Sequence, residues 1–164
     1  TFTSDEIVLL FERCKVLSAR EVHSRAEILF ENYSKTLSIE AQITASIGRT
    51  MILPAAIEYQ GRVANTMLAL RQALGKDADV SAHEKLLTRL LQNASSLKKN
   101  LAELDNARLM ADGLDADAMT KVKTYRDNVL PLMLACREAG DLLEMDVDDA
   151  LWPLPKYKEM LWIS

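Results

Sequence analysis

Apolar residues recur every three to four positions along most of this chain, a spacing that puts them on one face of an α-helix. In the first half the pattern runs through the positions Val22, Ala26, Leu29, Tyr33, Leu37, Ile39, Ile43, Ile47, Met51, Ile57, Ala64, Leu68 and Leu74. The pattern predicts one long helical stretch from residue 18 to residue 74, with those side chains towards the core.

Two later segments alternate spacings of three and four, which is typical of helices packed as in a coiled coil. The first seam is Leu87, Leu90, Ala94, Leu97, Leu101 and Leu104, and the second is Ala118, Val122, Tyr125, Val129, Leu132, Cys136, Ala139 and Leu143. A polar turn at residues 112–115 joins them, which predicts an antiparallel hairpin. We therefore expect residues 1–164 to form one all-α domain, an antiparallel helical bundle without strands.

The sequence also indicates where several helices begin and end. Thr3 to Glu6, Ser18 to Glu21 and Ser81 to Glu84 have the Thr/Ser-x-x-Glu form of a capping box. Asp115 is placed to cap the last long helix, and Gly75 is placed to end the first long stretch.

Two prolines fall inside predicted helices. Pro54 and Pro131 each lack a backbone donor and crowd the preceding turn, so each predicts a kink. The pattern leaves open whether Pro54 bends one helix or separates two.

Composition and charge argue against several classes of protein, such as nucleic-acid-binding and membrane-spanning proteins. The 164 residues carry a net charge of −4, which gives no reason to expect nucleic acid as a partner. No apolar run approaches the ~18 residues of a membrane span, and no signal peptide opens the chain at Thr1. Cys14 and Cys136 have no metal-type spacing and are expected to be two buried free thiols in a reducing compartment.

Candidate sites for chemistry are weak. His23 and His83 lie on different helices, where a structural or solvent-facing role is favoured over zinc binding. The acids Asp141, Glu144 and Asp148 share a helix face, and a solvated or salt-bridged face with basic partners is favoured over a divalent cation. No nucleophile elbow or Gly-rich phosphate loop is present. The sequence therefore predicts no catalytic, cofactor-binding or metal-binding residue.

The segment from residue 151 to residue 164 differs in character. Its large side chains and prolines are candidate interaction residues: Trp152, Pro153, Pro155, Tyr157 and Trp162. A segment this short has no core of its own, so these groups must dock elsewhere. Docking back onto the bundle is favoured, and docking onto a neighbouring domain or subunit is the alternative.

Several motifs stand out along the chain: residues 16–25, 26–28, 31–33, 39–41 and 52–55, Tyr125-Arg126-Asp127 with Pro131, and residues 152–157. In their order and spacing these motifs resemble the C-terminal region of type III glutamine synthetases. The resemblance covers nearly the whole chain.

The resemblance implies a parent enzyme that joins glutamate and ammonia with ATP and divalent Mg or Mn. It implies that the metal-binding and nucleotide-binding segments lie upstream of Thr1, since no segment here matches them. It also implies a cytoplasmic homo-oligomer of stacked hexameric rings.

Two functions compete. The preferred hypothesis is a non-catalytic C-terminal helical domain of a glutamine synthetase, which packs subunits or braces the catalytic part. The main rival is a stand-alone helical sensor or adaptor bundle that binds a small ligand or a partner helix, and a small all-helical enzyme is a weaker rival.

Overall fold

A computed structural model describes residues 3–155 of the chain, and within that range it contains helices and no strand. The helices are α1 (Asp5–Arg13), α2 (Ala19–Ile47), α3 (Leu53–Leu74), α4 (Ser81–Asp112), α5 (Ala118–Thr124) and α6 (Leu130–Asp146). The all-α prediction is confirmed. Within residues 3–155, no helix has an apolar run long enough to cross a membrane.

Both internal prolines follow a π-helical turn. One turn, Gly48–Ile52, joins α2 to α3, and the Leu53 N–H donates to the Gly48 carbonyl five residues back. The other, Tyr125–Val129, joins α5 to α6, and the Leu130 N–H donates to the Tyr125 carbonyl. In each case the next residue is proline, which has no N–H to donate.

Because the π turn is wider than an α turn, the helix continues through the proline instead of ending there. Ile52 and Leu53 keep right-handed helical angles, so Pro54 does not separate two helices. A kink was predicted at each proline, and the structure shows a π turn just before each of them.

The helices divide into two compact units. Among the described residues, one unit comprises residues 3–41 and 106–131, called here the Tyr125 unit, and the other comprises residues 42–105 and 132–155, called here the Leu101 unit. α2 and α4 each contribute to both units.

In the Leu101 unit three helices pack side by side. The Gln60 amide donates to the Leu90 carbonyl, and Arg71 pairs with Glu84, so α3 runs antiparallel to α4. The Asn100 amide donates to the Ala135 carbonyl, and Arg89 pairs with Asp146, so α4 runs antiparallel to α6. The predicted hairpin is confirmed here. Its buried seam includes Leu90, Ala94, Leu97, Leu101 and Leu104 from α4 and Cys136, Ala139 and Leu143 from α6.

The core of the Tyr125 unit is built from smaller side chains. The buried residues are Val8, Val22, Ala26, Ser34, Leu37, Ala41, Ala111, Tyr125 and Val129. Tyr125 is the largest of them and is 2% exposed.

The buried face predicted for residues 18–74 is partly wrong. Leu29 and Tyr33 were expected in the core but are exposed, and the line of α2 that is buried follows Ala26, Ser34 and Leu37 instead. Small side chains at a helix contact shorten the distance between helix axes, which leaves the larger residues beside them uncovered. Ile39, Ile43, Met51, Ile57, Leu68 and Leu74 are exposed as well.

The capping predictions had mixed success. Ser18 and Glu21 form the predicted capping box: the Ser18 N–H donates to the Glu21 carboxylate at 2.8 Å, and α2 begins at Ala19. Gly75 ends α3 with φ +95°, as predicted.

The other predicted caps lie at neighbouring residues. Ser4, rather than Thr3, precedes α1, and it makes no side-chain cap. The Asp79 carboxylate accepts from the Ser81 N–H before α4. Asp117, rather than Asp115, caps α5 by accepting from the Thr120 N–H. Neighbouring acids and hydroxyls are chemically equivalent caps, so sequence alone did not choose among them.

Candidate functional site

The tail singled out in the sequence is described as far as Pro155. Trp152 and Pro153 are half-buried and Pro155 is exposed, whereas Tyr157 and Trp162 lie outside the described residues. The Trp152 N–H donates to the Asp148 carbonyl at 3.1 Å, while its indole Nε1 is buried without a hydrogen-bond partner. The role of these residues in docking stays a prediction.

The residues considered for metal binding do not converge. His23 is exposed and His83 is half-buried. Among residues 3–155, no three His, Cys, Asp or Glu side chains are close enough to hold a metal ion.

The acids near the end of α6 have basic partners, as expected. Arg89 forms a bidentate ion pair with Asp146, in which Nη2 and Nε donate to the two carboxylate oxygens at 2.6 and 3.0 Å. Arg62 lies 3.6 Å from Asp148. These pairs are exposed on at least one side, so each contributes on the order of 0–1 kcal/mol to stability.

The two cysteines differ, which corrects the expectation of two buried thiols. Cys136 is buried in the Leu101 unit, and burial, together with the nearby Asp105, raises the pKa of its thiol to about 11. Cys14 is exposed because it follows the last residue of α1 rather than lying on its buried side.

A polar cluster in the Tyr125 unit was missed by sequence reasoning. The Asp112 carboxylate accepts from three side chains: the Tyr125 hydroxyl, the Ser38 hydroxyl at 3.1 Å and Arg108 Nη1 at 2.7 Å. These donors come from three segments, α2, α4 and the second π turn. We call these four residues the Asp112 cluster.

Burial and charge act on the Tyr125 phenol in the same direction. Burial disfavours the phenolate, and the neighbouring Asp112 carboxylate repels it, so the pKa of Tyr125 is raised above its ordinary value of 10.0. The phenol therefore stays protonated at neutral pH and donates to Asp112.

A cavity of about 620 Å³ lies beside this cluster, within the same unit. Asp112, Tyr125 and Ser34 are among the residues that line it. Ser34 is 8% exposed, and its hydroxyl is buried without a hydrogen-bond partner. Such a group costs about 1–3 kcal/mol when left unpaired.

The sequence contains one faint signal for this cluster. Tyr125 falls on the predicted seam, and a buried tyrosine hydroxyl usually requires a partner. Its partner Asp112 was read as part of a turn, and Ser38 is 74 positions away from Asp112 in the chain. Local patterns do not report contacts at that separation.

The Tyr125 unit also leaves large apolar side chains in solvent. Ile28, Leu29 and Ile39 on α2 are 56%, 59% and 57% exposed. Ile28 and Ile39 lie on the side of α2 away from its buried line, and Leu29 lies at the edge beside that line. We call these three residues the α2 apolar face.

Comparison with known proteins identifies relatives of the chain. Residues 1–71 match the family model described as glutamine synthetase C-terminal domain. The chain is 30% identical over 164 residues to the type-3 glutamine synthetase of Dictyostelium discoideum, covering 98% of this chain and 22% of that protein. It is 28% identical over 165 residues to the glutamine synthetase of Bacteroides fragilis, with 99% and 22% covered.

A third glutamine synthetase is similar to the chain over nearly the same length. The glutamine synthetase of Butyrivibrio fibrisolvens is 29% identical over 160 residues, which cover 97% of this chain and 22% of that protein. The chain thus spans about a fifth of the length of the curated relatives it matches. The resemblance drawn from residues 16–33 and the later motifs is confirmed.

Proposed function

We propose that this chain, which carries a C-terminal domain of the glutamine synthetase family, is a non-catalytic helical part of a longer glutamine synthetase. In this proposal the parent reaction is the joining of glutamate and ammonia with ATP. The ATP and the Mg or Mn ions bind in the remaining part of the polypeptide. The domain described here packs against that catalytic part and braces it.

Relative length and the absence of a metal cluster support a separate catalytic part. The matched relatives are called glutamine synthetases and are more than four times as long as this chain. Among residues 3–155, no cluster suits a metal ion. The chemistry of such an enzyme is therefore expected in the four fifths that this chain does not represent.

The α2 apolar face is the observation that carries the packing role. Burying a side chain such as Ile28 or Leu29 contributes about 1.5–3 kcal/mol. Large apolar groups clustered on one exposed side mark an interaction surface more often than a solvent face. The partner of this face is the catalytic part of the glutamine synthetase, and tail residues Trp152 and Pro153 stay a predicted second contact.

A charge placed on this face tests the proposal in the full-length protein. Ile28→Glu would bury an unpaired carboxylate at the contact, which costs several kcal/mol. The expected result is a lower temperature for loss of glutamine synthesis. Because residue 28 is exposed in this domain, the helix content by circular dichroism is expected to stay unchanged.

Ser96→Glu is the matched control. Ser96 is exposed on α4, away from the α2 apolar face, so Ser96→Glu adds the same charge without touching that face. An equal effect of both variants, or no effect of Ile28→Glu, would contradict the proposal. Smaller particles by analytical ultracentrifugation for Ile28→Glu alone would move the contact to a sister subunit.

A further inference from the structure

The cavity of the Tyr125 unit contains a cation without a counter-ion. Its charged lining residues are Glu31, Lys35, Asp112 and Lys121. Lys35 pairs with Glu31 at 3.0 Å, and Asp112 is balanced by Arg108 at 2.7 Å. In the described part of the chain, Lys121 takes part in no ion pair. With Arg108 counted beside Asp112, one positive charge at the cavity, that of Lys121, is left without a paired carboxylate.

An unused hydrogen-bond donor lines the same cavity. Ser34 is more than nine-tenths buried, and its hydroxyl has no partner among residues 3–155. Rotation about the Ser34 Cα–Cβ bond changes where this hydroxyl points, since serine populates three rotamers. An anion in the cavity would supply the acceptor that Ser34 lacks, beside the Lys121 ammonium.

The rest of the lining is largely apolar. Ile39, Ala111, Ala116 and Ala118 contribute hydrocarbon surface. The volume of about 620 Å³ is in the range of small-molecule sites. Apolar walls with a few convergent polar groups favour a ligand that has both a hydrocarbon body and an anionic end.

We propose that this cavity binds a small monocarboxylate with an apolar body. The carboxylate pairs with the Lys121 ammonium and accepts from the Ser34 hydroxyl, while the hydrocarbon body lies against Ile39 and the alanines. This inference rests on the geometry of the Tyr125 unit and does not depend on the proposed packing role. Ile39 belongs both to the α2 apolar face and to the cavity wall, so each proposal is tested at residues that belong to one of them alone: Ile28 for the face, and Lys121 and Ala118 for the cavity.

Calorimetric titration of the full-length protein with hexanoate tests the proposal. The expected result is saturable binding at one site per chain. Lys121→Gln removes the charge and is expected to raise the Kd roughly tenfold or more, which is the effect of losing one charge-assisted hydrogen bond. Ala118→Leu fills the cavity without altering its charge and is expected to weaken binding as well.

The controls separate a carboxylate site from general effects. Lys123→Gln alters the same charge on an exposed residue of α5 outside the lining, and is expected to bind hexanoate like the natural protein. Hexan-1-ol, which has the body without the charge, and sulfate, which has charge without the body, are expected to bind far more weakly. Absence of saturable hexanoate binding, equal binding by Lys121→Gln, or equal binding of hexanol or sulfate would overturn the proposal.

Discussion

Asp112 shows how a single carboxylate joins distant parts of a helical chain. Its three donors, Ser38, Arg108 and Tyr125, lie up to 74 positions away. Hydrogen bonds to a charged group are worth about 1.5–3 kcal/mol each when they are shielded from water. The cluster therefore fixes the end of α4 against α2 and the second π turn within the Tyr125 unit.

The raised pKa of Tyr125 predicts a pH dependence. A group whose folded pKa is raised contributes stability that is present below its unfolded pKa, near 10 for tyrosine, and is lost as pH rises through the folded pKa. We expect the free energy of unfolding to fall above pH 10 more steeply in the natural protein than in Tyr125→Phe. Chemical denaturation at pH 8 to 11 measures the difference.

Absorbance titration provides a second reading of the same group. The chain has four tyrosines, and the tyrosinate step that Tyr125 contributes above its ordinary pKa of 10.0 is expected to disappear in Tyr125→Phe. At neutral pH this variant should lose about 1–3 kcal/mol, because Asp112 loses one donor. Parallel stability curves above pH 10 for the two proteins would contradict the role given to Tyr125.

At the scale of elements, the two π turns allow the long helices to continue through Pro54 and Pro131. The prolines were visible in the sequence and predicted a kink. The π turns that accommodate them were not, because the widening depends on which backbone donors stay paired inside a packed helix. The first turn also begins at a close approach, since a Cβ on Gly48 would lie 2.8 Å from Leu101 Cδ2.

A pair of glycine substitutions tests this close approach. Gly48→Ala is expected to destabilise the protein by roughly 1 kcal/mol or more, because the buried Leu101 must move and overpacking outweighs the gain in helix propensity. Gly61→Ala, in α3, meets nothing within 4 Å and is expected to stabilise by about 0.5–1 kcal/mol. Denaturant titration of both variants measures the signs, and a stabilising Gly48→Ala would refute the close contact.

The helical seams show what periodicity can and cannot predict. The α4 and α6 seams were predicted nearly residue by residue, because apolar residues at alternating spacings of three and four leave little choice of buried face. On α2 the buried line follows Ala26 and Ser34 while Leu29 stays exposed. Hydrophobicity ranks leucine above serine, so periodicity alone favoured the wrong edge of that helix and gave no warning of a buried hydroxyl beside a cavity.

At the scale of the whole molecule, the proposed function accounts for both the exposed α2 apolar face and the short span relative to the matched relatives. A domain that covers 22% of each relative and leaves Ile28, Leu29 and Ile39 in solvent is expected to be completed by the rest of a longer chain. The motifs of the family were readable in the sequence. The α2 apolar face was not visible in the sequence, because exposure is a property of the packed structure.

Purification of the natural protein, captured with an antibody against residues of this domain, tests the central claim most directly. The intact mass and the ATP-dependent formation of glutamine are measured on the same sample. The account predicts a polypeptide several times heavier than the 18.4 kDa of this chain, with glutamine formed from glutamate and ammonia. A polypeptide of about 18.4 kDa that forms no glutamine would contradict it.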